Sequence, residues 1–235
     1  VGMAVVAAIF LPILVWAEHR SIRPILDTSL FRVRQYTFGV AVLVNHYLAH
    51  GGIILVAPFL LIDALDFSAT KMGLFIAAFS MARTFLAPVA GRLSDILEPR
   101  SFLVLGNVLL AAALLWLSHL GTGTDQWSLF MAMLLAGAGT AFVEPVVTSV
   151  IMGSVPSDRL GTASASVAMG RQVAFAVGVT VAGAIFTVRE SVHVVGLAAH
   201  DFVEEIAGRE AVVLGFGDTM LTGVALASLA AVMSL

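Results

Sequence analysis

Four residues able to carry charge lie deep inside apolar stretches: Glu144, Arg171, Arg83 and His46. Counted from the near end of its own stretch at a rise of 1.5 Å per residue, each lies roughly 12–15 Å in. Together they define one layer near the middle of a bilayer. A charge at that depth costs about 2.5–3.5 kcal/mol on insertion scales, so it must face a partner or a water-filled cavity. An acid there that alternates between protonated and ionised forms is suited to moving protons, and Glu144 is the first candidate, with His46 the second. Glu144 and Arg171 lie on consecutive antiparallel stretches at similar height, which makes them an expected ion pair, either structural or within a cavity. Arg83 either joins the layer or reaches back toward the headgroups. His46 and His50 are one helical turn apart with Asn45 beside them, a spacing compatible with two metal ligands. Without a third or fourth ligand, proton exchange or hydrogen-bonded packing is the expected role, and no metal or other cofactor is expected.

The elements that hold these residues are membrane helices. Hydrophobic residues make up 60% of the 235-residue chain and charged residues 11%, and mean hydropathy is +1.02, whereas soluble domains are about one quarter charged. Apolar runs at about 1–17, 37–62, 72–90, 101–120, 127–152, 162–188 and 216–235 suggest seven spans. All but the first reach about 20 residues, the length that crosses about 30 Å of hydrocarbon. Continuous rather than alternating apolar runs require helices. The chain begins and stops inside apolar runs, so both ends read as cut. It has no cysteine, which excludes disulfides and thiolate metal sites, and a net charge of -3 gives no reason to expect nucleic-acid binding.

Basic residues set the orientation. The connections 18–36, 91–100 and 153–161 hold Arg20, Arg23, Arg32, Arg34, Arg92, Arg100 and Arg159, against Lys71, Arg189 and Arg209 in the alternate connections. The first set is therefore expected on the cytoplasmic side. The acidic stretch 189–215 reads as a solvated outer loop in which Phe202, Val203 and Ile206 suggest a short amphipathic helix. Gly170, Ala174, Gly178 and Ala182 form a small-residue stripe for close helix packing, and Gly137 and Gly139 point to another contact. Pro145, directly after Glu144, removes a backbone donor, so a kink is expected there.

The hairpin Gly91 to Arg100, GRLSDILEPR, resembles the loop signature of the major facilitator superfamily, roughly G-x-L-[GAS]-D-[RK]-x-G-R-[RK]. It matches at Gly91, Leu93, Ser94, Asp95 and Arg100 and departs at Ile96, Glu98 and Pro99. The linker carrying Glu18, Arg20, Pro24, Leu26, Asp27, Leu30, Phe31, Arg32 and Arg34 resembles the connection before the last six helices of the fourteen-helix drug:proton antiporter branch. Gly161, Arg171, Gln172 and Gly178 follow that branch's penultimate helix.

The resemblance implies an all-α integral membrane protein, about seven helices forming the C-terminal part of a major facilitator fold, approximately helices eight to fourteen. Residues 1–36 would be a truncated helix and cytoplasmic linker, and residues 37–235 a six-helix bundle. It implies a proton-coupled exporter of drugs or other amphipathic small molecules in the cell membrane, partnered by a missing N-terminal half. Glu144, Arg171, His46, Arg83, His50, Asn45 and Gln172 are the cavity candidates, and Gly91, Arg92, Asp95 and Arg100 form a loop expected to control the conformational cycle. A metabolite transporter of the same fold and a non-transporting seven-helix protein remain as alternatives. No nucleophile–base constellation or phosphate-cradling glycine loop points to an enzyme.

Overall fold

The computed structural model describes residues 28–94, 96–198 and 204–235. The first apolar run, most of the linker, Asp95 and the Phe202–Val203 pair lie outside the described residues. A 3-10 turn, Thr28–Arg32, leads into six long helices. These are α1 (Arg34–Phe59), α2 (Ala69–Ser94), α3 (Pro99–Ser118), α4 (Gln126–Gly153), α5 (Leu160–Ala198) and α6 (Glu204–Met233). All six are long and apolar enough to cross a membrane. The molecule is a multi-pass, all-α cell-membrane protein.

Local sequence accounts for the end of α1 and the start of α3. α1 runs into a wide π turn, Leu60–Ala64, and the chain reverses at Asp66, whose φ of 55° falls in the left-handed region that aspartate tolerates better than most residues. α3 starts on Pro99, placed where a missing N–H is harmless. Pro145 sits inside α4 without interrupting it. The Thr148 hydroxyl donates to the Glu144 carbonyl at 2.8 Å, one turn beside the ladder bond that proline deletes.

Packing partners do not simply follow chain order. α1 packs on α5, α6 and α4; α2 packs on α4; α3 packs on α4 and α6; α5 packs on α6. The pairs α2–α3 and α4–α5, each joined by a short connection, barely touch. α1 therefore stands between α4 and α5, and α4 between α2 and α3. Small residues permit the closest approaches, as expected where apolar lipid provides no hydrophobic drive between helices. A Cβ on Gly106 would lie 2.7 Å from the Gly139 carbonyl oxygen, and one on Gly178 2.7 Å from the Leu48 carbonyl oxygen. In the α5 stripe, Ala174, Gly178 and Ala182 are buried, while Gly170 meets open space.

The stretch expected as an outer loop is instead largely helical. α5 continues through Ala198 and α6 begins at Glu204. Asp218 on α6 explains why the extension stays attached. Its Oδ2 accepts from His193 Nε2 at 3.0 Å and lies 3.5 Å from Arg189 Nε, both on the far end of α5. Ile206 belongs to the first turns of α6, so there is no separate amphipathic helix at that residue.

Two apolar clusters fill the bundle. One, near the 121–126 end, includes Ile53, Leu60, Phe79, Leu114, Met133 and Phe216. The other, near the 91–100 end, includes Leu30, Leu43, Leu103, Val147 and Ile151. Between them, on α1, α2, α3 and α4, lie the polar residues.

Candidate functional site

Glu144 on α4 is the centre of this layer. Its Oε2 accepts from Arg83 Nη2 at 2.6 Å and Nε at 2.7 Å, and its Oε1 accepts from the Tyr47 hydroxyl. Three helices, α1, α2 and α4, thus converge on one carboxylate. The geometry suits the ionised form, because a carboxylate has only acceptors to offer and all three contacts are donors. The environment is lopsided: the Glu144 side chain is 15% exposed and that of Arg83 40%. Arg83 is free on its open side to turn away.

This corrects the expected pairing of Glu144 with Arg171. Equal height on successive helices does not give contact when α1 separates them. Arg171 and Gln172 lie on the exposed side of α5 and make no hydrogen bond or ion pair among the described residues.

A second polar group lies beside the first. His46, fully buried on α1, has Nδ1 3.0 Å from Asn107 Oδ1 on α3. The Asn107 amide nitrogen donates to Leu103 O at 2.9 Å, which assigns its oxygen to the histidine. Nδ1 then carries the proton, an assignment made from the network. His46 Nε2 is buried with no partner among the described residues. His50, also buried, stacks with Phe79 of α2 and contacts Phe175 of α5, with ring centroids 6.1 and 5.6 Å apart. Its Nδ1 faces the His46 carbonyl at 3.4 Å. The two histidine rings lie 5.6 Å apart, centroid to centroid. Asn45 turns away, donating to Ala41 O at 3.0 Å and facing Met233 Sδ on α6 at 3.8 Å.

Tyr47 and Asn107 belong to this site but not to the sequence-derived candidates. Both carried a signal. Asn107 is eight residues into α3, roughly 12 Å deep and level with the charges. Tyr47 is a tyrosine in mid-span, away from the interfacial belts where tyrosines concentrate.

The loop candidates are split by the helix ends. Gly91 and Arg92 belong to the last turns of α2 and Arg100 to the first turn of α3. A Cβ on Gly91 would meet only Pro145 Cβ at 3.9 Å, an ordinary van der Waals contact. Arg92 and Arg100 are exposed, and Asp95 lies outside the described residues.

Comparison with known proteins adds to this geometry. A family profile described as Major Facilitator Superfamily matches residues 40–198. The chain is 29% identical over 196 residues to a multidrug export protein, EmrB, of Escherichia coli K12, covering 81% of this chain and 37% of that protein. It is 28% identical over 179 residues to the multidrug resistance protein Stp of Mycobacterium tuberculosis H37Rv, covering 76% and 33%. To the multidrug transporter protein MdtP of Bacillus subtilis it is 24% identical over 190 residues, covering 80% and 35%. The chain thus spans about a third of the length of these curated relatives.

Proposed function

We propose that this chain, which belongs to the Major Facilitator Superfamily, forms the C-terminal part of a proton-coupled exporter of drugs or other amphipathic small molecules. The family match and the relatives named as multidrug transporters support the substrate class. The contact of Arg83 and Tyr47 with Glu144 supports the proton coupling.

When Glu144 is ionised, Arg83 ties α2 to α4 and the Tyr47 hydroxyl ties α1 to α4. A proton on Oε2 cancels the charge that holds the guanidinium and sets a donor against its N–H groups, and the guanidinium turns to its open side. The two protonation states thus favour different α2–α4 arrangements, which a rocking transporter requires of its coupling site. In this reading the exposed sides of α2 and α5, where Arg171 and Gln172 stand, face an N-terminal half across the substrate cavity. The connections 91–100 and 153–161 face the cytoplasm, and the Asp95 hairpin regulates the cycle.

His46 is a second proton acceptor in this reading, because its Nε2 has no partner among the described residues while Nδ1 is held by Asn107. The test is export driven by an imposed pH gradient, using full-length protein in proteoliposomes with a lipophilic cationic drug and, separately, a sugar and an amino acid. Glu144→Gln should fold, retain drug binding and lose gradient-driven export. His46→Gln should retain part of it. Wild-type coupling in a well-folded Glu144→Gln variant refutes the role of the acid, and export of the sugar or amino acid alone refutes the substrate class.

A further inference from the structure

A cavity of about 850 Å³ opens at the basic end of the bundle, apart from the polar layer, where α1, α3, α4 and α6 meet. Its walls include Phe38, Val42, Leu103 and Met233, and Arg34 and Arg100 stand among the residues lining it. The Arg34 guanidinium lies over the Phe38 ring, 5.4 Å from its centroid, so its position is set by an apolar neighbour and not by an acid. Neither arginine has a carboxylate partner among the described residues. Among the described residues, Glu98 is the one acidic side chain in the lining.

Apolar walls with two unpaired guanidinium groups call for an amphiphile with an anionic head. The volume lies within the range of about 300–1,000 Å³ usual for small-molecule sites. The arginines open α1 and α3, at the level where a spanning helix leaves hydrocarbon for headgroups. Guanidinium groups bind phosphate oxygens through paired N–H donors. Glu98, an acceptor beside them, disfavours a second negative charge and suits hydroxyl donors. We propose that this cavity binds a monoanionic, hydroxyl-bearing phospholipid of the phosphatidylglycerol type, taken from the adjoining leaflet, with its phosphate between Arg34 and Arg100 and its upper acyl carbons against Phe38, Val42 and Leu103. This site does not depend on the transport reading.

The experiment measures retention of phosphatidylglycerol by purified full-length protein, by native mass spectrometry and by titration of labelled lipid in phosphatidylcholine nanodiscs. At about 1 kcal/mol per basic residue near an anionic surface, Arg34→Gln or Arg100→Gln should weaken binding about fivefold and the pair about thirtyfold. Arg34→Lys with Arg100→Lys should retain most of the affinity. Val150→Phe, which fills the cavity from α4 without changing charge, should also lower retention. Arg159→Gln, at the same basic end but bonded to Ser29 Oγ at 2.9 Å, should leave it unchanged. An equal loss in Arg159→Gln indicates diffuse surface attraction and overturns the site. Full competition by inorganic phosphate shows a free-anion site and overturns the lipid assignment. Wild-type retention in the well-folded double glutamine variant or in Val150→Phe does so as well.

Discussion

Replacing Arg83 by glutamine should destabilise the protein more than replacing its partner, Glu144, and the two losses should not add. An exposed ion pair contributes about 0–1 kcal/mol, whereas removing one member of a fully buried pair costs about 3–5 kcal/mol. This pair straddles the two cases, with Glu144 15% and Arg83 40% exposed. Arg83→Gln leaves a largely buried carboxylate with the Tyr47 hydroxyl as its remaining side-chain donor, an expected loss of about 2–3 kcal/mol. Glu144→Gln leaves an arginine that can turn to its open side, an expected loss of about 1 kcal/mol. With both charges gone the loss should be about 1–2 kcal/mol, below the sum of the singles by about 2 kcal/mol. The measurement is reversible unfolding of full-length protein in mixed micelles, followed by tryptophan fluorescence, for wild type, both singles and the double. Equal single losses, or additivity within about 0.5 kcal/mol, refute the claim that the buried acid depends on Arg83.

Three further outcomes are expected. Gly106→Ala would set its Cβ 2.7 Å from both the Gly139 carbonyl oxygen and Val143 Cγ2, spreading α3 from α4 at an overpacking cost of about 1–3 kcal/mol. Folded yield should fall, while Gly73→Ala, with nothing within 4 Å, should match wild type. Arg171→Gln should change stability by less than about 0.5 kcal/mol, because the side chain is exposed and holds no ion pair among the described residues, yet should lower drug export; unaltered export would remove Arg171 from the cavity. Cysteines placed at Arg32 and Ser157 should be labelled only from the cytoplasmic side and those at Gly123 and Glu205 only from outside, and any exchange between the sets reverses the orientation argument.

The sequence alone determined the solvent and the helical class, because these depend on composition and run length, and rise per residue gave each polar group an expected depth. Five of the six described spans begin within three residues of the apolar runs, and α6 begins earlier through its polar extension. The resemblance at Gly91–Arg100 and around Arg171 led to the family that the profile match supports. Depth is a one-dimensional quantity, and it gave Glu144, Arg171, Arg83 and His46 similar heights; of these, the structure joins Arg83 to Glu144. Partner choice needed the azimuth of each side chain and the lateral order of the helices, which no local pattern encodes. Insertion of α1 between α4 and α5 is what sends Glu144 to Arg83 and leaves Arg171 on an exposed side. The same order carries Tyr47 to the carboxylate and Asn107 to His46, two contacts between residues far apart in the chain. The extension of α5 to Ala198 was decided tertiarily too: a polar, hydropathically loop-like stretch stays helical and is tied to α6 where His193 and Arg189 meet Asp218.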